Sequence, residues 1–313
     1  LGSTVRAPGG PIDMADRIFI TGAAGKTGRA LLALLAGDPA FAGARITCLS
    51  RPGSPCEALL PFGVRIAGGD ASKPRSLAKV YGGEEIVIHL SSIFHTGAVL
   101  EACRGMKRLV AASSTRLFSK SWGRAGEIES AEAAIAQSGT PFTILRATMI
   151  YGAPDDRNIS QLIRLVRKWS VVPLPGGGRA VFQPVHVDDL ASCIVAALKT
   201  PASLGKTYNV PGGSAHSLRE MIEMIAAALG KRVSTVSVPL PLAEAGAALA
   251  AVAGRRFARG AEQIRRLRED KRFDYTEAAR DLGYSPRTFA EGLSLLVGAM
   301  YPSLGEARRS PHA

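Results

Sequence analysis

Gly22, Gly25 and Gly28 recur every third residue in RIFITGAAGKTGRALLALL, where an apolar run passes directly into an amphipathic one. A phosphate held against backbone N–H groups at a helix start needs bare backbone, and the helix N-terminus adds favourable partial positive charge. The third glycine lets the helix pack closely on the preceding strand. This spacing, in this context, predicts a pyrophosphate cradle formed by Gly22, Ala24, Gly25, Lys26, Thr27 and Gly28, with Lys26 adding charge near the phosphates. About twenty residues on, where an acidic side chain would hold a ribose diol, the sequence reads Ser50-Arg51. A serine hydroxyl and a guanidinium fork bind a 2′-phosphate by charge-assisted hydrogen bonds, whereas an aspartate would repel it. The expected cofactor is therefore NADP(H) in preference to NAD(H).

The elements that must position these residues follow from the hydropathy pattern. Short β-branched runs at 17–21, 45–50, 64–66, 86–90, 108–111 and 142–145 alternate with alanine- and leucine-rich segments, a βαβ rhythm. Strands such as IVIHL and RLVAA are apolar throughout, as a parallel sheet covered on both faces requires. The expected fold is α/β, a Rossmann-type doubly wound parallel sheet followed by a smaller, mainly helical C-terminal substrate domain. Residues 14–150 form the dinucleotide-binding domain, joined by a return of 180–200, and residues 151–313 form the second, discontinuous domain. Residues 1–13, with three glycines and two prolines, read as an extension outside the fold.

Composition excludes several classes. The 313 residues, 46% apolar and 21% charged, suffice for about two domains and exclude bulk disorder. Cys48, Cys56, Cys103 and Cys193 lie far apart without a CxxC pair, which argues for a reduced, cytoplasmic protein with no structural metal. The formal charge of +13 is spread along the chain, with one dense stretch from Arg255 to Arg272 that lacks interleaved aromatics, so it reads as a solvated face and not a nucleic-acid site. The apolar run from Pro239 to Gly254 is shorter than the roughly 20 residues a bilayer span needs and reads as a packed helix. Expected partners are a small-molecule substrate, with no membrane and no nucleic acid; monomer and homodimer both stay open.

At TGAAGKTG the chain resembles the short-chain dehydrogenase/reductase superfamily in its extended, epimerase/dehydratase-like and atypical, NmrA-like branches, whose fingerprint is TGxxGxxG. Further segments between residues 14 and 292 share the likeness. Gly69-Asp70 resembles the pair ending the third strand, with the aspartate near adenine, and HLSS at 89–92 the fourth strand passing the cofactor, which adds Leu90 and Ser91 to the binding set. VAASSTRLF at 110–118 resembles the segment carrying the active-site serine, best matched by Ser114 with Ser113 and Thr115 adjacent. FTILRATMIYG at 142–152 is similar to the strand leading to the nicotinamide side, QPVHVDDLA at 183–191 to the returning segment, and KTYNVPGG and DLGYSPRTFAEGL to later parts of the family.

One departure limits what the resemblance implies. Members that oxidise alcohols or reduce ketones use a Tyr-x-x-x-Lys pair, in which lysine depresses the tyrosine pKa so that its hydroxyl shuttles a proton. With Glu132 taken as the family glutamate after that pair, Arg124 and Ile128 occupy the two places, and none of the six tyrosines has a lysine four residues later. Atypical relatives without the pair either transfer hydride or bind the dinucleotide without turnover, and the function expected first is hydride transfer from NADP(H) to a small organic acceptor such as a quinone or enone, with a noncatalytic redox sensor or accessory subunit as the alternative. Catalytic candidates are Ser114, as an oxyanion donor, and Tyr151, as a proton donor beside the nicotinamide. Ser113 joins the cofactor set. His186 reads as a buried histidine, Asp188 and Asp189 as helix-start carboxylates, His89 and His95 as residues that bracket the fourth-strand exit, where either could face the cofactor but neither has an orienting partner in sequence, and Cys103 as a packed side chain.

Overall fold

The computed structural model describes residues 17–252, 264, 267 and 269–304. The expected extension at 1–13 and most of the Arg255–Arg272 stretch lie outside these.

A seven-stranded parallel sheet organises the chain. Its strands are β1 (Arg17–Thr21), β2 (Arg45–Ser50), β3 (Arg65–Gly68), β4 (Ile86–His89), β5 (Arg108–Ser114), β6 (Phe142–Ala147) and, after four short strands, β11 (Lys206–Val210). Their spatial order, β11-β6-β5-β4-β1-β2-β3, reverses direction between β1 and β4, the place where α/β sheets bind ligands beyond their carboxyl ends. The strands are all parallel: Ile18 pairs with Ile46 on one side and Ile86 on the other, and Ser113 pairs with Arg146. β5 and β6 run further than the patterned residues 108–111 and 142–145, because the apolar pattern breaks at Ala112-Ser113-Ser114 and at Arg146 while the strand pairing continues.

Helices cover both faces. α1 (Lys26–Gly37) and α6 (Val187–Lys199) bury Leu31, Leu35, Leu190, Ile194 and Leu198 against Ile18, Ile20 and Val110. α2 (Pro74–Ala78), α3 (Thr96–Ala102) and α4 (Ala125–Gln137) cover the other face through Leu77, Val99, Ile128 and Ile135. Arg108, buried at the start of β5, donates to the carbonyls of Ala197, Leu198 and Thr200, satisfying the buried C-terminal end of α6.

The remaining elements are β7 (Ile150–Tyr151), α5 (Ile159–Lys168), β8 (Val171–Pro175), β9 (Val181–Phe182), β10 (Val185–His186), β12 (His216–Ser217), α7 (Leu218–Ala228), β13 (Ser234–Val238), α8 (Leu240–Val252) and the helices Thr276–Leu282 and Phe289–Met300. They build a second core around Ile159, Ile163, Leu174, Ile225, Phe289 and Leu296. The strands among them form two-residue and five-residue ribbons that patterning did not predict, since segments this short carry no periodic signal. The run expected as a packed helix is helical, but Leu242 near its start is 65% exposed.

Candidate functional site

The turn after β1 has the geometry its glycines imply. Gly22 adopts a positive φ of 76°, and a Cβ there would lie 2.6 Å from the Ser91 backbone nitrogen, so no side chain fits between the ends of β1 and β4. At Gly28 a Cβ would sit 2.3 Å from the Ala23 carbonyl oxygen, which explains why α1 packs so tightly on the turn. Gly25 caps α1 without any side-chain hydrogen bond, leaving first-turn N–H groups to an anion. Ala24 and Thr27 are half-buried beside it.

Behind the turn sits a polar knot. His89, fully buried, shares its Nδ1 with the Thr21 hydroxyl at 2.8 Å and the Ser91 hydroxyl at 3.2 Å; Ser91 also donates to Thr21. Burial, with His95 nearby, pushes the His89 imidazole down to about 4 and holds it neutral. His89 is thus packed beneath the cradle and not facing a cofactor. Leu90 closes the knot by donating its N–H to the Thr21 carbonyl.

At the end of β2, Ser50 is buried and its Oγ has no hydrogen-bond partner, while Arg51 beside it is exposed. Asp70 follows β3 and accepts the backbone and hydroxyl hydrogens of Ser72, which hold its carboxyl below the ordinary range, with Lys73 and Arg51 adding to the effect. An unpaired buried hydroxyl, an exposed guanidinium and a side-chain-free turn fit a dinucleotide: Ser50 and Arg51 would meet the adenosine ribose and the turn the pyrophosphate. Lys26 has another partner as well. Its ammonium donates to the Asp155 carbonyl at 2.8 Å and lies 3.7 Å from the Asp155 carboxylate, drawing the loop after β7 across the turn.

A cleft of about 200 Å³ opens at the ends of β4 and β5, lined by Phe94, Ser113, Ser114, Arg116, Trp122 and Ile128 among others. Ser114 Oγ accepts the Arg116 backbone N–H at 3.3 Å. Ser113, in contrast, donates to Glu132 at 2.5 Å, and Glu132 is held by a two-pronged ion pair with Arg146, with contacts of 2.6 to 3.1 Å. Ser113 is therefore a wall residue locked by a carboxylate. The sequence reading missed Arg146, although a charge inside FTILRA, an otherwise uncharged strand, was a visible signal.

Of the two places of the proton-shuttling pair, the second is on this wall. Ile128, 1% exposed, fills the lysine's position, and Arg124 grips Glu127 at 2.7 and 2.9 Å while its guanidinium lies 3.9 Å from the Phe94 ring centre. Tyr151 is a correction. It lies 1% exposed in the second core, stacked edge-on against His186 at 5.2 Å and beside Phe289, and a Cβ on Gly292 would fall 2.0 Å from its hydroxyl. Burial pushes its pKa further up, so it is neither reachable nor acidic. The helix-start carboxylates stand in the first turn of α6 as expected; the cap itself is His186, which accepts the Asp188 N–H, and Asp189 pairs with Arg287 at 2.9 Å. Cys103 is packed as expected, its thiol pushed up to about 12 by burial. Among the described residues no cluster of ligating side chains could hold a metal.

Residues 124–211 match the NAD dependent epimerase/dehydratase family, and residues 18–139 match the saccharopine dehydrogenase NADP binding domain. A mitochondrial protein of Arabidopsis thaliana named NADH dehydrogenase [ubiquinone] 1 alpha subcomplex subunit 9 is 37% identical over 119 residues, 38% of this chain and 29% of that protein. A UDP-glucose 4-epimerase of Vibrio cholerae is 30% identical over 105 residues, 33% of this chain and 31% of that protein. The chain thus spans less than one third of the length of either relative. The solved UDP-glucose 4-epimerase of Thermotoga maritima superposes with a TM-score of 0.71 at 18% identity, over 92% of this chain and 99% of that one, a likeness of fold. Fold and partial matches agree with the extended short-chain dehydrogenase/reductase superfamily.

Proposed function

We propose, on the premise that this chain is an NAD(P)-binding, epimerase/dehydratase-like protein of the extended short-chain dehydrogenase/reductase superfamily, that it holds NADP(H) as a redox-sensing or accessory module. It does not act as an alcohol dehydrogenase, ketone reductase or sugar epimerase. One observation carries this reading: Ile128 is buried in the cleft wall where a lysine would be needed, and Arg124 is tied to Glu127. Bound nicotinamide supplies hydride chemistry, but proton traffic to an alkoxide needs a group of matched pKa, and neither isoleucine nor a paired guanidinium is one. The name of the Arabidopsis relative, a subunit of a larger NADH dehydrogenase, supports an accessory role. Selectivity for NADP(H) rests on Arg51 and on the unpaired hydroxyl of Ser50.

A second reading keeps hydride transfer to a quinone or enone, which takes its proton from water. It is favoured by Ser114, whose hydroxyl can donate to a developing oxyanion, and by the planar walls of Phe94 and Trp122. Calorimetric titration with NADPH, followed by a turnover screen against UDP-sugars, ketones, quinones and enones, separates the readings. Tight binding without oxidation of NADPH is the expected result. Turnover of quinones or enones that falls in Ser114→Ala establishes the second reading, and turnover of ketones or UDP-sugars overturns the first.

A further inference from the structure

The β8–β13 ribbon and the helix that follows it carry apolar side chains that none of the described residues covers. Along β8, Val172 and Leu174 point into the second core while Val171 and Pro173 alternate outward; register then places Val236 of β13 beside Pro173. Exposure is 51% at Val171, 52% at Val236 and 65% at Leu242, where α8 begins. Trp169, at the opposite end of the ribbon, is 56% exposed. Large side chains scattered singly on a surface need no account, but four on one ribbon and its two extensions do.

Charge decides what covers them. Arg167 and Lys168 close α5 beside Trp169, with the Lys168 ammonium 5.9 Å from the indole ring, and Arg232 is exposed just before β13. α8 holds a single charged residue, Glu244, and in the sequence it runs into the arginine-rich stretch 255–272. A second copy of a chain with formal charge +13 would bring two cationic rims together. An anionic bilayer surface meets both needs: tryptophan and aliphatic side chains enter the headgroup boundary while flanking lysine and arginine stay with the lipid phosphates. At 13 residues α8 reaches about 20 Å, too short to cross. No helix of the described residues is long and apolar enough to do so.

We propose that the face bearing Trp169, Val171, Val236 and Leu242 docks on an anionic membrane surface. This departs from the expectation of no membrane partner, which rested on the length of the apolar run, a test of spanning and not of lying flat. It is independent of the nucleotide reading.

Co-sedimentation of the full chain with phosphatidylcholine vesicles, with and without phosphatidylserine, tests it. Binding should be roughly tenfold or more tighter with the anionic lipid and should weaken as salt rises. Trp169→Ser and Leu242→Ser should each lower it by about tenfold, because each removes an inserted apolar group. Both positions are exposed, circular dichroism and NADPH titration report their fold, and loss of fold in one leaves the other to decide. Equal affinity for both vesicles, or binding unchanged in both variants, overturns the proposal. So does self-association abolished by Val236→Ser, or binding to duplex DNA without binding to vesicles.

Discussion

Adding one methyl group at Gly28 would place a carbon 2.3 Å from a backbone oxygen that has nowhere to retreat. Gly28→Ala should therefore cost about 1–3 kcal/mol of stability and lower NADPH affinity by more than about tenfold, read by denaturant titration and calorimetry. Arg51 poses a subtler question. If its guanidinium binds a 2′-phosphate, Arg51→Ala should weaken NADPH by roughly ten- to a hundredfold and leave NADH nearly unchanged. An unaltered NADPH/NADH ratio removes the assignment. Gly28 was legible in the sequence because its role depends on local backbone alone. Tyr151 was not: its position after β6 suited a proton donor, but packing with Phe289 and Gly292 turned it into the second core.

Between elements, buried polar groups join parts distant in sequence. Arg108→Met should destabilise the protein by about 3 kcal/mol, because the carbonyls ending α6 lose their donors inside the core. A fall of several degrees in Tm is the expected reading. The Thr21–His89–Ser91 knot predicts a pH dependence. In the unfolded chain an imidazole titrates near 6.5, and in the folded protein His89 does so at about 4. Between these values the unfolded chain binds the extra proton, so stability is full above about 6.5 and drops toward pH 4, by on the order of 3 kcal/mol. Denaturation midpoints should show this slope, and His89→Gln should flatten it. Part will remain, because burial also depresses His186, with the nearby Arg287 cation adding to that. If His89→Gln leaves the slope intact, the knot is not its source.

At the scale of the molecule, a ligand that binds only the folded state stabilises all of it. NADPH at about a hundred times its dissociation constant should add roughly 2.7 kcal/mol, and a thermal shift assay should register several degrees. NADH at the same concentration should add less. No shift with either nucleotide would remove the cradle assignment. The clasp between Lys26 and Asp155 gives this linkage a path, since pyrophosphate in the turn would compete with Asp155 for the same ammonium.

The sequence by itself determined the sheet, the glycine turn and the absence of a proton-shuttling pair, because these rest on periodicity, on missing side chains and on residue type. Tertiary structure alone decided which groups meet: Glu132 with Ser113 and Arg146, Lys26 with Asp155, and Asp189 with Arg287. It also decided that the start of an apolar helix would face outward. Contacts across 14 to 129 residues depend on how helices and loops pack, and no local pattern of hydropathy or charge encodes them.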